Sequence, residues 1–375
     1  MSSTTLIDRS ADRPVTAGGR DTDESESFRR ARLISDQLEA DLREHPGAHR
    51  VLTGDRPTGP LHLGHYIGTL VNRVRLQNLG VPTFIVIPDY QVITDRDAIG
   101  PLRERVRELV ADYLAIGLDP DRTVIFPHSA IPALNQLLVP FLSLVSVAEL
   151  ERNPTVKVEA ADSGRPTSGL LLTYPVHQAA DILCCAGTVV PVGRDQLPHL
   201  ELTRLIARRF NDRYGPVFTE PAALLSAAPT VLGTDGRKMS KSRGNSIALG
   251  ATEDQTAATI RAARTDGERR ISFEPERRPE VANLLIIAAE LTGEPPESIA
   301  ERVGERGAAA LKDTVTAAVN DALRPVRTRR RELMADPGYL DAVLLDGIAT
   351  VTGIATQTLD RVRAAMGMHY LRGSG

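Results

Sequence analysis

The sequence predicts an α/β fold, in which a doubly wound parallel sheet is followed by an all-helical C-terminal domain. Between residues 50 and 211, short apolar runs typical of buried strands alternate with longer segments whose apolar residues recur at helical spacing. From about residue 253 the strand pattern fades, and the apolar segments that remain have helical spacing. Alternating strands and helices favour a parallel sheet, because parallel strands are joined by crossover helices.

The elements follow in chain order. Strands are expected at 50–54, 82–89, 123–126 and 188–192. Helices are expected at 28–44, from Leu63 to about Gly80, and at 101–117, 134–150, 173–187, 195–211, 281–293 and 347–368. The helix at 101–117 starts with proline and ends with glycine, as helices commonly do. The helix at 134–150 is apolar on most sides, so it belongs either to the core or to a subunit interface.

Three regions are predicted. Residues 1–27 lack periodicity and are rich in Ser, Thr, Asp and Arg, which indicates a disordered extension. Residues 28–252 form the α/β domain, and residues 253–375 form the helical domain.

Composition excludes several classes of protein. The net charge of -3 over 375 residues excludes a strongly basic overall surface, although a local basic face stays compatible with it. The adjacent cysteines Cys184 and Cys185 fit neither a zinc site nor a disulfide framework, and no metal bound by protein side chains is expected. The N-terminus lacks a secretory signal, and no apolar run approaches the roughly 20 residues of a membrane helix. We therefore expect a cytoplasmic protein without membrane contact.

The segment "HLGH", residues 62–65, follows the first predicted strand and opens the next helix. Ligands bind at the carboxyl ends of parallel strands, and a helix N-terminus offers free amides to phosphate. Gly64 lets a flat ligand approach the backbone, while His62 and His65 can donate hydrogen bonds to phosphate oxygens. Considered alone, the segment is equally compatible with a phosphate site and with a structural role, in which the two histidines are a helix cap and a core residue.

A second segment, "KMSKS" at residues 238–242, lies in a loop rich in glycine and small polar residues. Its two ammonium groups and two hydroxyls can clamp a triphosphate and follow its charge as that charge redistributes. An exposed charged turn would explain such a loop if it stood alone. Its occurrence downstream of "HLGH", on a parallel-sheet pattern, favours the phosphate site.

Together the two segments resemble the HIGH and KMSKS motifs of class I aminoacyl-tRNA synthetases. Residues 48–370 are most similar to bacterial tryptophanyl-tRNA synthetases, on strings such as "TGDRPTGPLHLGHYIGTL", "ELERNPTVK", "TYPVHQAADI" and "VPVGRDQLPHLELTR". The resemblance implies a Rossmann-like catalytic domain and a helical anticodon-binding domain. It also implies ATP and Mg²⁺ as cofactors, L-tryptophan and tRNA(Trp) as substrates, and a homodimer. Tryptophan would be activated by ATP to the adenylate, with release of pyrophosphate, and then transferred to the terminal adenosine of the tRNA.

The resemblance also implies roles for individual residues. His62, His65, Lys238 and Lys241 would be catalytic, the histidines stabilising the phosphates and the lysines holding the leaving pyrophosphate. Asp195 would bind the ribose. The implied ATP-binding residues are Arg56, Gly64, His65, Gly193, Asp195, Lys238, Met239, Ser240, Lys241 and Ser242. Arg56 stands where many bacterial members carry glutamine, and it could bind phosphate directly.

Tyr174, Gln178 and Asp181 lie at i, i+4 and i+7 and therefore share one helix face. This polar face is either a hydrogen-bonded core network or an amino acid pocket. By resemblance, Asp181 accepts the indole N–H of tryptophan and Gln196 holds the α-amino group. The implied tryptophan-binding residues are Leu52, Gln91, Tyr174, Gln178, Asp181, Val190, Val192 and Gln196.

Two pocket positions depart from the common bacterial pattern. Gln91 stands where many members carry histidine, and Gln178 where many carry methionine. A more polar pocket leaves a tyrosine–tRNA ligase open as an alternative, as well as an auxiliary copy resistant to an indole-like antibiotic. A catalytically silent tRNA-binding module is a further alternative. The arginine-rich segments 260–270 and 324–331 are either solvated helix faces or contacts to tRNA phosphates.

Overall fold

The computed structural model describes residues 26–94, 100–163, 166–226, 228–240 and 243–370. Almost all of the predicted disordered extension lies outside these residues, as do Lys241 and Ser242 of the KMSKS segment.

A parallel sheet of five strands forms the centre of the α/β region. Its strands are β1 (Val51–Gly54), β2 (Thr83–Ile87), β3 (Thr123–Pro127), β4 (Val189–Val192) and β5 (Ala222–Leu225). They are ordered β3-β2-β1-β4-β5, and every neighbouring pair is parallel. The chain winds outward from β1 to β3 and then returns to β4 on the other side of β1. The doubly wound prediction is confirmed, and the reversal of strand order places a crevice between the carboxyl ends of β1 and β4.

Helices connect the strands and cover the sheet. Those before the C-terminal region are α1 (Glu26–Glu44), α2 (Leu63–His65), α3 (Val71–Asn78), α4 (Leu102–Ala115), α5 (Pro132–Leu142), α6 (Val147–Glu151), α7 (Pro154–Ser163), α8 (Gly169–Cys184) and α9 (Leu197–Tyr214). A π-helical turn, Tyr66–Leu70, joins α2 to α3. The "HLGH" segment therefore opens a helix that directly follows the loop after β1, as the sequence predicts.

The predicted helix at 134–150 is wrong as a single element, because the chain forms α5 and α6 there. Ser146 accepts a hydrogen bond from the backbone N–H of Glu149, and the Glu149 side chain accepts one from the Ser146 backbone. This capping box starts a new helix inside an apolar run. Periodicity alone cannot detect such a break, because the apolar residues continue across it.

Two elements of the α/β region were not predicted. The strand β5 has only four residues, too few to show a period that separates a strand from a helix. The helix α7 carries little amphipathic pattern, and its hydrophobic and charged residues are mixed around its surface. Because α7 contacts both the loop after β1 and the segment after β4, its omission left the predicted site less enclosed than the observed one.

After Thr252 the described chain is built from helices, in agreement with the prediction. They are α10 (Glu253–Arg261), α11 (Pro279–Thr292), α12 (Pro296–Val303), α13 (Gly307–Met334) and α14 (Pro337–Ala365). One apolar core runs across the predicted boundary, since Ile85 and Ile125 of the sheet belong to the same cluster as Leu285 and Val315 of the helices.

A buried ion pair also joins the two regions. Arg330 of α13 donates to the carboxylate of Asp112 in α4 at 2.6 Å. The other carboxylate oxygen of Asp112 lies 3.5 Å from the backbone nitrogen of Leu61, immediately before "HLGH". Burial raises the pKa of Asp112, and the charge of Arg330 opposes that rise. The C-terminal helices are therefore linked through polar contacts to the segment that carries the histidines.

The helix α14 is long and apolar enough to cross a membrane by length and composition. Val351, Ala355 and Leu359 nevertheless pack in a core cluster with Phe126 of β3. Gly347 lies so close to the sheet that a Cβ atom there would be 2.0 Å from the carbonyl oxygen of Ile125. One face of this helix therefore packs in the core of the described chain.

Replacing Gly347 with alanine should destabilise the fold, because the new methyl group would overlap backbone rather than a movable side chain. Overpacking of this kind costs about 1–3 kcal/mol, which urea unfolding will show as a lower midpoint. The matched control is Gly353→Ala on the same helix, where nothing lies within 4 Å of the new Cβ. That change should raise stability by up to about 1 kcal/mol. Equal midpoints for the two variants would contradict the close contact.

Candidate functional site

The two sequence motifs are brought together by backbone pairing. The N–H of Leu63 donates to the carbonyl of Ile247 at 2.8 Å, and the N–H of Leu249 donates to the carbonyl of Leu61 at 2.9 Å. A Cβ on Gly64 would lie 3.5 Å from the sulfur of Met239, which is itself buried. The "HLGH" turn and the described part of the KMSKS segment thus face the same crevice.

The histidines of "HLGH" form a compact pair at the helix start. The backbone N–H of His62 donates to Nδ1 of His65 at 3.2 Å, and the two ring centroids are 3.7 Å apart. A Cβ on Gly64 would come within 3.1 Å of Nδ1 of His62, so a larger residue would press on the imidazole. The predicted cap is present, and it holds both imidazoles beside the crevice.

Lys238 reaches across the crevice to the segment after β4. Its Nζ lies 3.5 Å from a carboxylate oxygen of Asp195, and both side chains are largely exposed. A Cβ on Gly193 would lie 2.9 Å from the other oxygen of Asp195, so a larger residue there would push this exposed carboxylate aside. Gln196 donates to Asp195 at 3.4 Å. Among the described residues predicted for the nucleotide, Gly64 meets Met239, and Lys238 meets Asp195.

Asn245 organises the loop, and the sequence reasoning missed it. Its side-chain oxygen accepts from the N–H of Ser240 at 2.8 Å, and its amide donates to Asp235 at 2.7 Å and to the carbonyl of Lys238 at 3.3 Å. Asn245 is almost fully buried. A polar residue that closes a glycine-rich loop was the available signal, since asparagine favours such turns.

The predicted phosphate contact Arg56 lies in an ion pair with Glu159 of α7, at 2.9 Å. A second contact from α7 comes from Thr155, whose hydroxyl donates to the carbonyl of Asp195 at 3.2 Å. Because α7 was not predicted, neither partner was foreseen. The helix spans from the loop after β1 to the segment after β4 and encloses the crevice.

A buried network fixes the loop between β1 and "HLGH". Arg73 and the hydroxyl of Tyr113 both donate to the carboxylate of Asp55, the latter at 2.8 Å. Burial would raise the pKa of Asp55, but the charges of Arg73 and His65 and the hydrogen bonds from Arg73 and Tyr113 together outweigh it and hold the pKa well below its usual range. Asp55 therefore stays ionised and anchors the chain just after Gly54.

The pocket residues predicted from one face of α8 lie beside an apolar wall. Leu52 of β1 and Val190 and Val192 of β4 are buried in one cluster. Gln91 is also buried, in a short 3₁₀ turn after β2, and Gln178 is half-buried. The predicted side chains thus lie within β1 and β4, just after β2, and on α8.

Tyr174 and Asp181, at the two ends of the polar face, each contact a buried histidine that was not predicted. The hydroxyl of Tyr174 lies 3.2 Å from Nε2 of His199. Asp181 lies 3.0 Å from Nδ1 of His128, which follows β3. His128 occupies the carboxyl end of a strand, where a polar residue often marks a site, so a signal for it was present in the sequence.

The chain is similar in sequence to a known family of enzymes. Residues 45–324 match the family described as tRNA synthetases class I (W and Y). The tryptophan–tRNA ligase of Treponema pallidum is 43% identical over 330 residues, which are 85% of this chain and 97% of that protein. The chain belongs to the tryptophanyl-tRNA synthetases. The ligase of Thermotoga maritima is 39% identical, over 86% of this chain and the whole of that protein.

Solved structures agree with this assignment. The tryptophanyl-tRNA synthetase of Campylobacter jejuni complexed with ADP and tryptophan has a TM-score of 0.76 and 30% identity, covering 85% of this chain and 99% of that one. The tyrosyl-tRNA synthetase of Archaeoglobus fulgidus has a TM-score of 0.64 at 21% identity, covering 81% of this chain and 99% of that one, which shows the shared fold alone. The Rossmann-like class I fold predicted for this synthetase is confirmed.

The synthetase should lose stability in mild acid through His199. Burial is the main cause that lowers the pKa of His199 to about 4 from the model-compound value of 6.5. Between these values the unfolded chain binds more protons than the folded one, so stability falls as the pH falls through this interval. The loss attributable to His199 is about 2 kcal/mol on going from pH ~7 to pH ~5.

Urea midpoints of the native protein and of His199→Gln at both pH values measure this contribution. The variant lacks the titrating ring, so its midpoint should fall less than that of the native protein. A parallel fall in the two proteins would mean that His199 does not remain neutral in the fold.

Proposed function

We propose that this chain is a tryptophan–tRNA ligase that activates L-tryptophan with ATP and then esterifies the terminal adenosine of tRNA(Trp). The observation that carries the proposal is the meeting of the "HLGH" turn, Lys238 and Asp195 at the β1/β4 crevice. The relatives named above are tryptophan–tRNA ligases over nearly their whole length. Neither chemical step needs a protein nucleophile, so the site acts by alignment and charge stabilisation.

For the first step, the substrate carboxylate attacks the α-phosphate of ATP and pyrophosphate leaves. His62 and His65 lie at a helix N-terminus beside the crevice, where N–H donors stabilise phosphate oxygens. Lys238 and Lys241, the two lysines of the KMSKS motif, would stabilise the negative charge that develops on the leaving pyrophosphate. The exposed contact of Lys238 with Asp195 is weak, because solvent screens it, and it exchanges readily for phosphate.

Asp195 and Gly193 are proposed to receive the ribose and the nucleotide backbone. Mg²⁺ would enter with ATP, since this ion is held largely by phosphates and water in nucleotide sites. The other residues proposed to bind ATP are Met239, Ser240 and Ser242 of the KMSKS segment, and Arg56. Arg56 lies in the loop after β1 and forms an ion pair with Glu159 of α7.

The amino acid is proposed to lie between the apolar wall and the polar face of α8. Leu52, Val190 and Val192 offer flat aliphatic contact to an indole. Asp181 would accept the indole N–H, with Tyr174, Gln178 and Gln91 around it and Gln196 at the α-amino group. One buried acceptor among aliphatic side chains suits a substrate with one ring donor, since leaving that acceptor unpaired would be costly.

Pyrophosphate exchange into ATP tests the substrate and the motif together. Tryptophan should stimulate exchange, whereas tyrosine and an amino-acid-free control should not. Lys238→Met should lower kcat for exchange by about 10²-fold or more, because it removes one charge that stabilises the transition state. The matched control is Arg237→Met, an exposed neighbouring cation, which should stay near the native rate. Stimulation by tyrosine alone would overturn the assignment.

A homodimer is proposed from apolar surface on the α5–α6 segment. Val139 and Val147 are exposed by 73% and 59%, although they flank the buried Leu137 and Phe141. Exposed aliphatic side chains next to a core segment mark an interaction surface. The basic helix face around Arg324 and Arg331 is proposed to contact tRNA phosphates, and a cytoplasmic location fits these substrates.

Light scattering should give a mass near twice 40.6 kDa for the native protein. The double variant Val139→Asp and Val147→Asp should shift the mass toward that of one chain, because it places charges on the apolar surface. As a control, Leu345→Asp charges another exposed apolar residue, on α14, and should leave the dimer intact. A monomeric native protein at high concentration would contradict the proposed assembly.

A further inference from the structure

A chain of hydrogen bonds runs from the backbone of Tyr90 through His128 to the carboxylate of Asp181, beside the proposed amino acid pocket. Asp181 is 2% exposed and His128 is fully buried. Their contact joins Oδ1 of Asp181 to Nδ1 of His128 at 3.0 Å. Asp181 lies on α8 and His128 follows β3, so this contact sets the position of the α8 carboxylate relative to the sheet.

The surrounding contacts decide which ring nitrogen of His128 carries the proton. The backbone N–H of Tyr90 donates to Nε2 of His128 at 3.1 Å, so Nε2 must be the acceptor. In a neutral imidazole the proton is then on Nδ1. His128 therefore donates from Nδ1 to the carboxylate of Asp181.

His177 supports the same ring from one face. Its imidazole stacks on that of His128, with centroids 4.3 Å apart and planes 23° apart. Nε2 of His177 lies 2.9 Å from the side-chain oxygen of Asn135, whose amide donates to the carbonyls of His128 and Ile131. Asn135 therefore fixes the proton of His177 on Nε2. Burial lowers the pKa of His177, which keeps the ring neutral.

The same three side chains, His128, His177 and Asp181, offer ligand atoms within 4.8 Å of one another, as a metal site would. The hydrogen bonds favour a different role. Both nitrogens of His128 and Nε2 of His177 are already engaged, so a metal ion would have to displace the proton between His128 and Asp181. The Nδ1 atom of His177 has no hydrogen-bond partner among the described residues. This atom is therefore a second buried acceptor in the cluster, beside the carboxylate of Asp181.

We propose that His128 is a positioning residue for substrate selection, which orients the ionised carboxylate of Asp181 so that its remaining lone pairs meet the ring N–H of the amino acid. The inference rests on the proposed function, because it requires that Asp181 faces the substrate. The Nδ1–H donor of His128 sets how strongly the site prefers a substrate with a ring N–H over an isostere that lacks one.

The probes are tryptophan and β-(3-benzothienyl)alanine, in which sulfur replaces the indole N–H with little change of shape. Pyrophosphate exchange gives kcat/KM for each, and their ratio reports the hydrogen bond to the ring N–H. In the native protein the ratio should favour tryptophan on the order of 10- to 100-fold, the range expected for a bond to a charged acceptor. KM for ATP is measured in parallel, since it should not respond to this bond.

Three variants of His128 distinguish the effect of the Nδ1–H donor from the effect of the size of the side chain. Asparagine places an amide N–H near the position of Nδ1, so His128→Asn should keep the ratio within about threefold. Leucine offers no donor, and glutamine places its donor near the position of Nε2. His128→Leu and His128→Gln should each lower the ratio about tenfold, with KM for ATP unchanged. Glutamine keeps the site polar, so it serves if the leucine variant does not fold.

The structural control is Thr358→Val, which removes a buried hydrogen bond from α14 to the carbonyl of Cys184 on α8. It should lower the urea midpoint without changing the ratio. An unchanged ratio in His128→Gln and His128→Leu would overturn the inference while leaving the proposed function intact. One zinc ion per chain, found by elemental analysis of the purified protein, would also overturn it. Absence of tryptophan-stimulated exchange in the native protein would instead overturn the proposed function.

Discussion

The pairing of residues 61–63 with residues 247–249 is the constraint on which the site depends. Two backbone hydrogen bonds join segments that lie far apart in the chain, and they set the histidine turn against the loop that carries Lys238. Without this pairing, the carboxyl end of β1 would have phosphate donors but no cation opposite them. Because the pairing is made by main-chain atoms, most substitutions in either segment leave it intact. The relative position of the two segments therefore depends on the backbone fold rather than on individual side chains.

The charges around the crevice fall into a fixed set and an exchangeable set. Asp55 and Arg73 are buried against each other and against Tyr113, so separating them would leave an uncompensated buried charge. Lys238 and Asp195 are exposed, and water weakens their attraction. Arg56 and Glu159 are intermediate in exposure. The fixed pair holds the loop after β1 in place, while the exposed pair would exchange its contact for a phosphate at little cost. This division suits catalysis in which charge moves along a triphosphate.

The fold class, the positions of four of the five strands and the meeting of the two motifs could be predicted, because buried strands and motif spacing leave local patterns in the sequence. The break between α5 and α6 could not be predicted from periodicity, since a capping box of Ser146 and Glu149 interrupts an apolar run without changing its pattern. The helix α7 was missed because it is only weakly amphipathic, and its contacts to Arg56 and Asp195 were missed with it. His128 follows a predicted strand, but its contact with Asp181, like that of His199 with Tyr174, appears only when β3, α8 and α9 are packed together. Contacts between distant elements are what a local pattern does not contain.

The absence of a side chain at Gly347 has a mechanical consequence. There the backbone of α14 lies against the backbone of β3, with no layer of side chains between them to slide or repack. Contacts of this kind resist shear, so α14 and β3 are expected to move together rather than slide past each other. A displacement of the C-terminal helix would therefore also displace the strand that precedes His128.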